Sequence, residues 1–412
     1  MSVGGVGIPR LQDLSYIEVA IAQVAAGATF EQVRRALVAR AAEINRDADV
    51  DGSFDEQKWA ATRSNSTKHV HNAVDVLKEL MRLGWLQRHI LPSGPQSAYL
   101  HAEETYDLTD AGKAWAALVA EDRVKAYNAL VGILIDAHPQ FAWFLKVVGA
   151  RPDSTGTHLT VPLLRWDGTV HADEEAYLEA LIDYAAGAGA SGSAGWSASR
   201  DDIDSALRSY VLRIQARFEA RERKQSRKEF VNTCDEAITK LAFTAAGCPL
   251  DYVSMELLRR WTRFLGIANF SYYAQEPYAL RLWATGTVAG RGERTTITRR
   301  VGPEVRQQAL EGLWETWQER RGDAAAGMYL PIWDLRAATC WKLRIGDDEF
   351  DRAIAEALAG VHPDLPFRIH LDQASARSTP ASTRPLILPT ASGLRRVFNV
   401  ISIIPNKPKE QS

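Results

Sequence analysis

Cysteine, methionine and long apolar runs are all scarce in this chain of 412 residues. Three cysteines, Cys234, Cys248 and Cys340, form an odd set with no close pair, which excludes both a disulfide framework and the spacing of a zinc site. They are expected as buried thiols. No apolar stretch approaches the roughly 20 residues of a membrane-spanning helix. The N-terminus has no basic flank followed by an apolar core, so cytoplasmic residence without a membrane partner is the expectation. Neither sign of charge dominates: the formal net charge is −2, so any surface for a polyanion has to come from local clusters.

Signatures of catalysis are missing too. There is no Gly-x-x-x-x-Gly-Lys-Ser/Thr loop, and Gly290-Arg291-Gly292 is too short and too basic to replace one. His69 and His71 are two apart on an expected helix, so they face different directions and do not share a metal. The nearest approaches to a magnesium nuclease set are Asp55-Glu56-Gln57-Lys58, in a polar insertion, and Asp235-Glu236, in a helix, where strands would be needed. No catalytic residue, metal or cofactor is therefore expected.

What is present is a strong succession of helix signals. Apolar residues from Tyr16 to Val24 predict a first helix ended near Gly27. Thr29 and Gln32 form a capping-box pair that opens a second helix through Val33, Leu37 and Ala41. An Asp-rich insertion from Asn45 to Arg63 carries Trp59. Helices are expected over 124–137, 141–148, 173–186, 200–245, 249–265, 303–321, 331–343 and 347–359. Strands are expected over 159–166, 267–273, 278–287, 367–371, 384–388 and 397–404. Domain boundaries fall near 121 and 322. The order helix, glycine, hairpin recurs after Gly84 and Gly266, so repetition of a fold without repetition of sequence is expected.

The most informative stretch runs from Ser64 to Leu118. It begins Ser64-Asn65-Ser66-Thr67-Lys68-His69-Val70-His71-Asn72, continues through Val74, Leu77, Leu80 and Met81, and stops at Gly84. A strand from Leu86, the turn-rich Pro92–Ser97, a strand reaching Tyr106 and a helix opened by Thr109-Asp110-Ala111-Gly112-Lys113 follow. Helix, hairpin, helix in this order resembles a winged-helix domain, and Tyr106 to Lys113 resembles the segment that closes the wing in several bacterial winged-helix families.

The resemblance implies a mainly α fold with short β-hairpins, built from tandem winged-helix-like units. It also implies that the helix from Ser64 meets the major groove of double-stranded DNA. Its candidate contacts are Asn65, Ser66, Thr67, Lys68, His69 and Asn72, with Arg88 beside them. Asn suits adenine, whereas Ser, Thr and Lys suit phosphates or base edges. A solvated helix face or a protein-docking module is the competing reading.

Two further clusters are basic. Arg213 to Lys228 holds seven Lys or Arg against Glu219 and Glu222, and Arg217, Arg221, Lys224 and Lys228 share one helical face. Arg291 and Arg294, with Arg299 and Arg300, flank glycines in a segment suited to gripping a phosphate backbone. The expectation is a non-enzymatic DNA-binding protein, either a regulator or the DNA-reading subunit of a bacterial defence or restriction complex with other protein subunits. A winged-helix scaffold for proteins and a divergent nuclease are the alternatives.

Overall fold

The computed structural model describes residues 11–48, 55–61, 63–89, 103–154, 158–162, 252–273, 279–322, 328–373, 385–389 and 395–406, with short pieces between 176 and 238. The chain is mainly helical, with small antiparallel sheets of two or three strands. No described helix is long and apolar enough to cross a membrane. There are two compact units. One comprises Met1–Ala142, Glu256–Leu265 and Ala289–Ile297, and the other Trp143–Met255, Gly266–Val288 and Thr298–Ser412.

In the first unit, α1 (Ser15–Ala25) buries Ile17, Ala20, Ile21 and Val24. The capping box forms as expected: Thr29 N donates to Gln32 Oε1 at 2.8 Å, Gln32 N donates to Thr29 Oγ1 at 3.4 Å, and α2 (Phe30–Ala48) starts there. The insertion contains the short α3 (Glu56–Ala61). Helix α4 (Arg63–Arg82) begins one residue ahead of Ser64 and leads into β1 (Leu86–Arg88), which pairs with β2 (Tyr106–Leu108).

Thr109 closes this hairpin. Its Oγ1 donates to Gly84 O at 2.6 Å and accepts from Gly112 N, capping α5 (Asp110–Glu121). Gly112 lets α5 approach, because a Cβ there would collide with the Trp85 carbonyl. Trp85 stacks on Trp115 at 5.0 Å, and Trp115 Nε1 donates to Ala126 O in α6 (Arg123–Ala137).

Helix α7 (Pro139–Val147) leads out of this unit. In the second unit β3 (His158–Pro162) pairs with β5 (Ala279–Ala284), which also pairs with β4 (Ala268–Tyr273). Strands β6 (Gly286–Ala289) and β7 (Thr296–Arg299) form a hairpin. Helix α8 (Tyr252–Phe264) precedes β4 in the chain.

Then come α9 (Pro303–Arg321), β8 (Leu330–Pro331), α10 (Ile332–Leu343), α11 (Asp347–Leu358) and β9 (Phe367–Asp372). They are followed by β10 (Leu386–Pro389), β11 (Arg395–Phe398) and β12 (Val400–Pro405). The strand expected over 397–404 is thus two strands with different partners: β11 pairs with β10, while β12 lies between β8 and β9.

The boundary expected at 322 cuts through a continuous core. Leu310, Leu313 and Trp317 of α9 pack with Leu335 of α10, Phe350 and Ile354 of α11, Ile401 and Ile403 of β12, and Trp283 of β5. The segments expected as helices over 173–186 and 200–245 lie largely outside the described residues, as do Cys234 and Cys248. Cys340 is buried, and burial pushes its thiol well above the usual range.

One pattern occurs three times. In each, the later strand of an antiparallel pair also meets an earlier segment on its other side; in the third case β10 and β11 lie between β9 and β12 in the chain. The flanking segment is Thr29, bridged to Thr105 beside β2, in the first case; it is β3 in the second and β8 in the third. A helix precedes each strand pair, α4, α8 and α11, and after each comes a glycine in the left-handed region, Gly84, Gly266 and Gly360. In the first and third, Trp85 N donates to Leu80 O at 2.9 Å and Val361 N to Glu356 O at 3.0 Å, the C-terminal closure that left-handed glycine permits.

Candidate nucleic-acid interface

The C-terminal half of α4 is anchored in the first unit by Ala73, Val76, Leu77 and Leu80, all buried. Asn72 is buried with them, contrary to its expected role as a base contact. The reason is helical register: Asn72 precedes Val76 and Leu80 by four and eight positions and so falls on the packed face. Asn65, Ser66, Thr67, Lys68 and His69 lie in the first turns of α4, whose backbone is helical; their side chains lie outside the described residues. The first turn contains no acidic residue, and Lys78 further along is exposed.

Charge at the other end of α4 is internally matched. Glu79 is buried, accepts from Arg82 Nη2 at 2.7 Å and lies 2.8 Å from His138 Nε2. Burial pushes the Glu79 carboxyl up, but the hydrogen bonds from His138 and Arg82 outweigh it and the group ends below its usual value. Arg82 Nη1 also reaches Ala137 O at 3.1 Å. The His138 ring packs edge-on against Trp261, whose Nε1 donates to Leu11 O.

Arg88 is a second correction. Its guanidinium forks onto Glu104, a buried carboxylate that also accepts from the Tyr106 hydroxyl at 3.1 Å. Glu104 sits beside the Thr29–Thr105 bridge, where Phe30 N donates to its backbone oxygen at 2.8 Å. Arg88 therefore holds the three-strand arrangement together, and its charge is already neutralised. The hairpin tip, residues 90–102, lies outside the described residues.

The 291–294 cluster is positioned by an unusually close approach. Between β6 and β7 the chain forms a 3-10 turn, Gly292–Arg294, with Gly290 and Gly292 in the left-handed region. That turn packs on α6 at Gly132, where a Cβ would collide with Gly292 O and Thr295 Oγ1. Thr295 is buried, whereas Arg291 and Arg294 are exposed with no acidic partner among the described residues. This cluster and α4 belong to the same compact unit.

Arg217, Arg221, Lys224 and Lys228 lie outside the described residues. So do Lys407 and Lys409, whereas Arg396 is exposed, over the Phe398 ring. The counterpart of α4 in the third pattern, α11, opens with Asp347, Asp348 and Glu349. Asp347 accepts from Asn269 Nδ2 at 2.8 Å and Glu349 pairs with Arg306 at 3.2 Å, so that end is tied into its own unit.

A different cluster, invisible to sequence patterns, gathers in the second unit. His158, Arg281 and Arg344 meet at Trp341 although they come from β3, β5 and the end of α10. Among the described residues, no group of three or more His, Cys, Asp or Glu is arranged to hold a metal ion. Comparison of the chain with protein-family models, with curated proteins and with solved structures finds no match.

Proposed function

We propose that this protein binds double-stranded DNA, with α4 of a winged-helix unit set against the major groove. The observation that carries the reading is the contrast between α4 and α11. Both stand before a left-handed glycine and an antiparallel strand pair whose later strand also meets an earlier segment, yet α4 opens without an acidic residue and α11 opens with three. A helix N-terminus that bears Arg63 and Lys68 attracts phosphate through its free amides and its dipole, whereas three carboxylates oppose that attraction.

Arg291 and Arg294, held on a fixed turn in the same unit, supply phosphate contacts that position the duplex. A role as a regulator or as the DNA-reading subunit of a defence complex is consistent with such a chain, the other two patterns serving as docking bodies for protein partners.

The deciding experiment is a salt titration of duplex binding by the full chain and by Arg63→Ala/Lys68→Ala. Log affinity should fall linearly with log salt, and the variant should lose about 0.9 of slope per phosphate contact removed. A chain that binds no duplex at low salt, or a variant with unaltered slope, refutes the α4 reading.

A further inference from the structure

Exposure alternates along the strand that follows the Gly292–Arg294 turn. Thr296, Thr298 and Arg300 are exposed, whereas Thr295 is buried and Ile297 and Arg299 are half-buried. Successive side chains of a strand point to opposite faces, so Thr296 and Thr298 share the outward face of β7. Arg300, one residue past the strand, continues the pattern: its N donates to Thr285 O at 2.8 Å. The inward face is the one held in place, since Thr295 meets α6 at Gly132 and the Arg299 side chain passes beside Gly266. On β6 the division is the same, with Val288 buried and Thr287 exposed.

The chemistry of the outward side is uniform. From 291 to 300 the exposed side chains are those of Arg291, Glu293, Arg294, Thr296, Thr298 and Arg300, so no large apolar group is offered to a protein partner. Arg291, Arg294 and Arg300 make no ion pair among the described residues, whereas Arg82, Arg88 and Arg306 are held by Glu79, Glu104 and Glu349. Glu293 is the carboxylate of the turn itself, and Asp136 approaches Gly292 from the α6 side. Alternate residues of a strand lie about 6.6 Å apart, close to the step between neighbouring phosphates of one nucleic-acid strand.

We propose that Thr296, Thr298 and Arg300 continue the Arg291 and Arg294 turn into a track for the sugar-phosphate backbone of one nucleic-acid strand. Hydroxyls donate to phosphate oxygens and guanidinium groups pair with them, and neither contact reads a base, so the track is indifferent to sequence. It rests on the phosphate contacts proposed for the turn but not on α4, because a single strand presents a backbone and no major groove.

The test is fluorescence anisotropy of the full chain with a short labelled single strand of mixed sequence and with its duplex, each over a range of salt. The single strand should bind wild type, and Arg300→Gln should reduce its slope of log affinity against log salt by about 0.7, one phosphate contact. Thr296→Val/Thr298→Val, which keeps a strand-forming side chain, should weaken binding about threefold or more with the slope unchanged, because a hydroxyl bond releases no counterion. Glu293→Gln should bind about two- to fivefold more tightly, the size of one exposed charge interaction, and a gain of this kind cannot come from a folding defect. Arg63→Ala/Lys68→Ala should weaken the duplex alone; wild-type duplex affinity in that variant removes α4 and leaves the track standing. A single strand left unbound at low salt, a wild-type slope in Arg300→Gln, or wild-type affinity in either Thr296→Val/Thr298→Val or Glu293→Gln overturns the track. So does displacement of the labelled strand by polyglutamate as readily as by unlabelled strand.

Discussion

Gly132 of α6 lies against the carbonyl of Gly292 so closely that a side chain at position 132 has no room to form. That contact holds the 3-10 turn which displays Arg291 and Arg294. Gly132→Ala should therefore cost about 1–3 kcal/mol, the usual penalty for overpacking a filled site. Denaturant unfolding checks the loss. Under the proposed function the same variant should also bind duplex more weakly than Arg291→Ala/Arg294→Ala alone predicts, because the turn is displaced as well as altered.

Asn72 and Lys68 should separate stability from binding. Asn72→Ala removes a buried polar side chain and should destabilise the first unit by about 1–2 kcal/mol, with duplex affinity per folded molecule unchanged. Lys68→Ala should do the opposite. Thermal melts read beside gel-shift titrations decide; a binding defect in Asn72→Ala without a melting defect contradicts the burial argument.

Glu79 gives the first unit an acid sensitivity of defined sign. Its folded carboxyl sits below the usual value, so its stabilising contribution is present above the unfolded value of about 4.3 and is lost as pH falls through the folded value. Glu79→Gln should be less stable than wild type at neutral pH, because it leaves Arg82 and His138 without their carboxylate, and the gap should narrow toward pH 3. Urea midpoints of both proteins across that range measure it; a constant gap would remove Glu79 as the source.

The basic residues Arg217, Arg221, Lys224 and Lys228, expected from their spacing to share a helical face, are tested by salt dependence. If they lie on phosphates, neutralising all four should lower affinity for every duplex alike and reduce the slope of log affinity against log salt by about 0.9 per contact, with sequence preference retained. An unchanged slope with unchanged stability assigns the face to solvent.

Gly84 tests the turn that ends α4. Its φ of +73° lies where a side chain is strained although nothing stands within 4 Å of a Cβ, so Gly84→Ala should cost about 1 kcal/mol from backbone strain alone. An unfolding midpoint equal to wild type would show that the chain leaves α4 by another turn.

Local rules made much of this protein legible in its sequence. The capping box at Thr29 and Gln32, the glycine stops at Gly27, Gly84 and Gly266, and the Pro303 start of α9 are determined within a few residues, by hydrogen bonds and backbone sterics that need no distant partner. Helical periodicity likewise sufficed for α10 and α11, whose bounds lie within a residue of those expected. What periodicity left open is what a polar residue meets once the chain closes. Asn72 and Glu79 are buried because α4 packs along the register that contains them, and Arg88 is held by Glu104, sixteen positions away across a hairpin. The partner of α9, the division of the last strand at Asn399, and the meeting of His158, Arg281 and Arg344 on Trp341 were decided only by tertiary structure. Each depends on strand pairings and core contacts between residues far apart in the chain, and local spacing carries no record of those.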